Sequence, residues 1–308
     1  MSEAVASQDL GAAETPSSAY PPSRIKRRRA TSSEMQARAD FLVDYSRRNG
    51  PVTVRGLYYQ AEVHQVPGIE KDDAGYGKVQ YQTLSLRRSG LLDYDWIADA
   101  TRWMRKPRSF DSIEDALRHT AAFYRRSLWR DTAEYVEIRV EKDALAGVIY
   151  PVTELYDLPL MVTRGFSSET FCYEAVAARA ADERPYHVYY LGDFDRSGQD
   201  AGRSLEEKLV RFAAEKDIEV IFETVAVTEE QIDTWKLPTR PHKRKSPADR
   251  KWPHAFACEL DAIAPNVMRD LVEAAINRHL PQHQLRVLQE AEASERMLLQ
   301  AWTAGASR

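Results

Sequence analysis

The chain has 308 residues, 43% of them hydrophobic and 29% charged, and its net charge is −4. That length predicts two folded units plus a tail, with enough apolar content for real cores. No apolar run approaches the roughly 18 residues that a membrane-spanning helix requires, which excludes a bundle of such helices.

In chain order, residues 1–32 are rich in Ser, Ala and Pro and carry a basic run, Arg24, Lys26, Arg27, Arg28 and Arg29. This stretch reads as a disordered basic arm that either touches DNA phosphates or stays solvated. Residues 33–110 read as three helices followed by an extended segment. SSEMQARADFLVDYSRR has helical spacing and stops at Asn49-Gly50. PVTVRGLYYQAEV offers Thr53 as N-cap, with Val54, Leu57 and Tyr58 at i, i+3 and i+4. KVQYQTLSLRRSG is the third helix, and LLDYDWIADATRWMR reads as a short strand and turn. Helix-turn-helix plus wing is the predicted arrangement, with Lys78, Gln80, Gln82, Arg87 and Arg88 facing a DNA groove. Residues 111–130 read as a linker helix.

From residue 131 the period changes. EYVEIRV, LPLMVTRG, YHVYYLG and IEVIFETVAV are strand-like, and helical segments alternate with them. The expectation is an α/β unit with a parallel sheet over 131–280, then a C-terminal helix over 281–308. Charge splits along the same boundary, +5 over residues 1–130 and −9 over 131–308. A basic front and an acidic back fit an anion-binding module joined to one that uses carboxylates. Residues 236–251 hold seven basic residues against one acid, flanked by Trp235 and Trp252. This loop, with Arg240, Lys243, Arg244 and Lys245, either tracks DNA phosphates or balances the acidic unit.

In open parallel sheets ligands sit beyond the carboxyl ends of strands. There the sequence places Glu141 after the first strand, Gly165 after the second, and Asp193-Phe-Asp195-Arg-Ser-Gly198 after the third. Carboxylates held together repel unless a cation or proton intervenes, and an oxygen-only donor set suits Mg²⁺ rather than zinc. In the first unit, Arg55 and Tyr59 are four residues apart and share a helix face, whereas Tyr58 points about 100° away. Both tyrosines can equally be packing residues. The two cysteines, Cys172 and Cys258, make no metal pattern or disulfide framework, and no pair of histidines has metal-ligand spacing. With no secretion signal at the start, the expected compartment is the cytoplasm.

The acid and glycine spacing over 131–230 resembles the TOPRIM domain of topoisomerases, primases and some nucleases. That resemblance implies a Rossmann-like sheet, with Glu141, Asp193 and Asp195 as Mg²⁺ ligands acting on a phosphodiester and Glu141 as acid or base. A winged helix bearing Arg-x-x-Tyr-Tyr before such a domain resembles topoisomerase VI A subunits and the meiotic break-forming transesterases, and most of all the compact bacterial Mini-A type. Phe256-Ala-Cys-Glu259-Leu-Asp261 is similar to the acidic segment after that family's TOPRIM core. The resemblance extends over about 40–280 and implies Tyr59 as nucleophile, Arg55 as its electrostatic support, double-stranded DNA as partner, and a homodimer with Tyr59 of one protomer at the other's metal site. An ATPase partner is an open possibility, because the chain contains no such module. The expected activity is double-strand DNA cleavage by transesterification, with a hydrolytic nuclease and a non-catalytic DNA-binding protein as the alternatives.

Overall fold

A computed structural model of the chain describes residues 30–98, 109–179, 182–242, 250, 252–280 and 282–305. The expected basic arm, apart from its last three residues, lies outside the described residues, as do Lys243, Arg244 and Lys245.

Three helices make the first unit. α1 (Ser32–Asn49) starts in a capping box between Thr31 and Glu34, α2 (Val54–Val63) is capped by the Thr53 hydroxyl, and α3 (Asp73–Arg88) by Asp72. Each cap satisfies an amide left orphaned in a first turn, which is why these polar residues punctuate the apolar runs. Leu42, Val52, Leu57, Val79, Leu86 and Leu92 bury fully or nearly so in a common core. Burying each such side chain contributes about 2 kcal/mol. Over the described part of the predicted strand and turn, 91–98, the chain forms a 3₁₀ turn (Tyr94–Trp96), begun by Asp93, and one parallel bridge between Val52 and Ile97; residues 99–105 of that expectation lie outside the described residues. The Asp93 carboxylate accepts from the Asp95 amide, and this local bond turns the chain where a strand would stay extended. No wing hairpin occurs here among the described residues. α4 (Ile113–Phe123) is shorter than the predicted linker.

The second unit is a four-stranded parallel sheet in the order β2-β1-β3-β4. Its strands are β1 (Tyr135–Val140), β2 (Leu160–Val162), β3 (Tyr186–Leu191) and β4 (Val220–Ala226). The crossovers are α5 (Asp143–Leu155), α6 (Glu169–Ala177) and α7 (Arg196–Ala214). The alternation read from sequence therefore holds element by element. Val140 lies in register with Val162 and Leu191, so the residues that follow these strands line one edge. Helices cover both faces, as an all-parallel sheet requires. One core joins Val136, Ile138, Val140 and Tyr189 to α5 and to a later helix over Pro265–Asn277, and the other joins Val188 and Tyr190 to α6 and α7.

The alternate positions of β1, Glu137 and Arg139, are completely buried. Arg139 Nε pairs with Glu137 Oε1 at 2.7 Å, and the Tyr186 hydroxyl donates to Glu137 Oε2 at 2.5 Å. Burial raises the Glu137 carboxyl above its usual range against the opposing pull of Arg139.

After β4 come α8 (Glu229–Trp235), a two-stranded hairpin of β5 (Arg240–Pro241) and β6 (Phe256–Ala257), α9 (Pro265–Asn277) and α10 (Gln282–Gly305). α10 packs on α4, where the Tyr124 hydroxyl donates to Glu295 at 2.8 Å and Glu292 accepts from the Arg126 amide at 3.0 Å. Among the described residues no helix is long and apolar enough to cross a membrane.

Candidate functional site

The edge formed by the strand ends gathers five carboxylates and three cationic side chains. Glu141 follows β1 directly, its amide still on the ladder to Leu191 O at 2.8 Å. Its Oε2 accepts from the Asp193 amide at 2.9 Å, which ties the first acid to the loop carrying the second. Gly198 is required where α7 passes that loop, because a Cβ there would stand 2.3 Å from Asp193 O. Gly165 has φ +81°, a left-handed turn that favours glycine. Both glycines singled out in the sequence thus shape this edge.

Phe194 and Cys258 bond reciprocally through their backbones, at 2.8 and 3.0 Å, and bring the Glu259–Asp261 segment against the loop. Lys142 fills the space between. Its Nζ lies 2.9 Å from Asp193, 2.8 Å from Asp261 and 3.2 Å from Glu259. Asp193 Oδ1 also accepts from the Leu260 amide at 2.8 Å.

The helical unit meets this cluster through α2. Thr53 Oγ1 donates to Asp261 at 3.3 Å, and Arg55 Nη1 donates to Glu259 Oε2 at 3.4 Å. The Arg55 guanidinium also sits 5.1 Å over the Tyr76 ring. Tyr59 is buried on the same helix, within the electrostatic reach of Glu259, Arg55, Lys142 and Asp261 of its own chain. The resemblance implies instead that this tyrosine serves the other protomer's metal site. Tyr58 faces elsewhere, its hydroxyl donating to Glu70 O at 3.2 Å or Asp72 O at 3.3 Å, and so anchors the loop before α3. No hydrogen bond engages the Tyr59 hydroxyl among the described residues.

The electrostatics follow from burial and from these contacts. Burial pushes Glu141 above the ordinary carboxyl range, and Asp193 pushes it further. Burial also raises Asp193, although Lys142 pulls the other way. Glu259 behaves oppositely: burial raises it, but Lys142, Arg55 and Arg240 together hold it below its usual value. Burial alone would lower Lys142, yet Asp261, Asp193 and Glu259 lift its ammonium well above normal. The Tyr59 phenol is raised strongly, by burial first and Glu259 second, and Arg55 and Lys142 offset only part of this. The support expected from Arg55 is therefore present in sign and outweighed in size.

The other predicted residues divide. Lys78 and Arg88 lie on the exposed face of α3 with Gln80, Tyr81 and Ser85, and Lys78 Nζ donates to Gly68 O at 2.6 Å. Gln82 is buried and donates to Met35 O at 2.5 Å, so it belongs to helix packing rather than to a groove-facing surface. Arg87 is half-buried and stacks 4.2 Å over the Tyr94 ring. Arg240, from the basic loop, turns toward the acid cluster. Its Nη2 lies 2.7 Å from Asp195 and its Nε 3.4 Å from Glu259, so it neutralises the acids. Asp195 caps α7 through the Gly198 amide at 2.9 Å.

Five carboxylates against Lys142, Arg55 and Arg240 leave a formal charge of −2. Among the described residues, however, Glu141, Asp193 and Asp195 do not converge to metal-ligand spacing. The set that does is Glu134, His187 and His279, whose candidate ligand atoms lie within 4.8 Å of one another. This group could hold a metal ion. It was invisible along the sequence because its members are far apart in the chain and meet only when β1, β3 and the end of α9 come together. Lys142 was also missed, although its place one residue after the first strand-end acid was the available signal. No protein-family model matches the chain, and no curated protein matches it.

Proposed function

We propose that this chain cuts double-stranded DNA by transesterification, with Tyr59 as the attacking group and Mg²⁺ held by Glu141, Asp193 and Asp195. The observation that carries this reading is the docking of α2 on the acid cluster, where Arg55 reaches Glu259 at 3.4 Å and Tyr59 shares the same helix face. The donors suit the ion in kind: they are carboxylate oxygens within a cluster whose five acids and three cations sum to −2, and Asp193 raises Glu141 in a way that a divalent cation relieves. When bound, Mg²⁺ supplies charge stabilisation at a phosphoryl oxygen.

The chain's own groups do the rest. The Tyr59 oxygen attacks phosphorus and loses its proton. The bond from phosphorus to a deoxyribose oxygen breaks, a phosphotyrosyl ester forms, and the released oxygen takes up a proton. Glu141, with its raised carboxyl, suits that proton exchange. Arg55 favours the phenolate and stands beside the attacked phosphate. Lys78 and Arg88 on the exposed face of α3 contribute phosphate contacts, which makes binding salt-sensitive. Two copies acting on opposite strands give a duplex break.

A hydrolytic reading is favoured by one observation, the burial of Tyr59 with its phenol pushed far above the ordinary value. In that case water attacks and Tyr59 is a packing residue. Covalent trapping separates the two. End-labelled duplex is incubated with the full chain and Mg²⁺, denatured with SDS, and examined for labelled protein in wild type, Tyr58→Phe and Tyr59→Phe. A band lost only in Tyr59→Phe supports transesterification. Cut DNA with no attached protein in every lane overturns it and leaves hydrolysis.

A further inference from the structure

The far edge of the sheet, opposite the acid cluster, holds a group of side chains that the DNA reading does not use. Glu134 stands immediately before β1, His187 is the second residue of β3, and His279 follows the end of α9. His187 and Tyr189 are two apart and share the face of β3 on which α9 packs. The rings of His187 and His279 lie with centroids 4.5 Å apart. His279 Nδ1 contacts Glu134 Oε2, and its Nε2 lies 2.6 Å from the Tyr189 hydroxyl. His187 Nε2 is 3.7 Å from Glu134 Oε1, outside hydrogen-bond range.

An ion pair between His279 and Glu134 accounts for part of this arrangement and leaves His187 unexplained. The Nε2 atom of His187 is sealed from solvent and has no hydrogen-bond partner among the described residues. A buried polar atom in that condition costs about 1–3 kcal/mol. It is aimed toward the Glu134 carboxylate, to which His279 Nδ1 also points. A cation among the three atoms would satisfy all of them at once. The outer contact is also of a useful kind: a ligating imidazole is typically oriented by a hydrogen bond at its other nitrogen, and His279 Nε2 has one with the Tyr189 hydroxyl.

We propose that Glu134, His187 and His279 form a binding site for a borderline transition-metal cation, with Zn²⁺ the best match. Two imidazole nitrogens and one carboxylate oxygen suit Zn²⁺ or Co²⁺ and are a poor set for Mg²⁺. Metal–ligand bonds of about 2.0–2.1 Å place tetrahedral donors roughly 3.4 Å apart. The present atoms lie within 4.8 Å of one another, near that span. Glu134 is 36% exposed, so water reaches the fourth position. Arg278, the nearby cation, is already paired with Glu223 at 2.9 and 3.1 Å. The site would act as a clip, joining the starts of β1 and β3 to the end of α9.

The test uses the full chain stripped of metal with a chelator, then dialysed into excess Mg²⁺ to occupy the acid cluster. Zn²⁺ is titrated calorimetrically, and Co²⁺ separately by its visible absorption, into wild type, His187→Gln, Glu134→Gln and Asp193→Asn. One Zn²⁺ per chain is expected for wild type and Asp193→Asn, with affinity at least about tenfold weaker in His187→Gln and Glu134→Gln. The thermal midpoint should rise with Zn²⁺ in the first two proteins and not in the last two. Equal metal-free midpoints for His187→Gln and wild type would show that the variant folds. Zn²⁺ binding that is unchanged in His187→Gln overturns the assignment, as does the absence of binding by wild type at micromolar Zn²⁺. Either failure leaves the Tyr59 reading untouched, because it concerns the opposite edge of the sheet.

Discussion

Replacing Lys142 with Met removes the cation that holds the acid cluster together while keeping most of the side chain's packing. The Lys142 ammonium lies 2.8–3.2 Å from Asp261, Asp193 and Glu259, whose side chains are only 3%, 13% and 17% exposed. Breaking a buried charge pair by removing one partner costs about 3–5 kcal/mol. Lys142 is itself 24% exposed, which places the loss at the lower end, about 3 kcal/mol. For a chain of this size that corresponds to a fall of roughly 5 °C in thermal midpoint. The measurement is thermal unfolding of wild type and Lys142→Met in chelator at neutral pH, repeated with Mg²⁺. Mg²⁺ should stabilise the variant more than wild type, because the freed carboxylates offer it more negative charge. A variant within about 1 kcal/mol of wild type in chelator would refute the reasoning, since buried acids left unpaired must cost more than that.

Other outcomes follow from the same contacts. Glu141→Gln tests the raised carboxyl through pH. A carboxyl raised on folding contributes stability that is complete below its unfolded pKa of about 4.3 and is lost as pH rises through its higher folded value. Urea unfolding in chelator should therefore show wild type and variant alike near pH 4, and the variant more stable at neutral pH. Arg139→Met leaves Glu137 buried and unpaired and should cost about 3–5 kcal/mol by denaturant unfolding, whereas joint replacement of Glu137 and Arg139 by apolar residues should cost much less. Thr53→Ala removes a cap and a contact to Asp261 and should lose about 1 kcal/mol, seen as a lower urea midpoint. Tyr59→Phe should abolish the covalent DNA adduct while leaving duplex binding within about twofold, measured by fluorescence anisotropy at fixed salt.

The parallel sheet was legible because strand-like and helical segments alternate cleanly from Tyr135 to Ala226. The cap at Thr53 and the glycines Gly165 and Gly198 were also readable, since their chemistry is local. What escaped was non-local. The sequence around Asp93 looked like a strand because the apolar pattern of Leu91, Leu92, Trp96 and Ile97 outweighed a single side-chain bond that turns the chain. That Arg240 pairs with Asp195 was not readable, because nothing in its sequence neighbourhood names that partner. The Glu134, His187 and His279 group has no linear spacing at all, for it is assembled by register across two strands and by the end of a helix.

The buried Glu137 and Arg139 in the middle of β1 bear on how the sheet avoids mispairing. An all-apolar central strand could slide by one position against β3 and still find a greasy partner. In this chain such slippage would swing both charged side chains onto the face packed by α5 and α9, where no Tyr186 hydroxyl waits for them. The penalty for that error is several kcal/mol for each stranded charge. The ion pair thus contributes little to the depth of the correct well and a great deal to the height of the wrong ones, and it thereby keeps the strand ends level so that Glu141 and Asp193 emerge side by side.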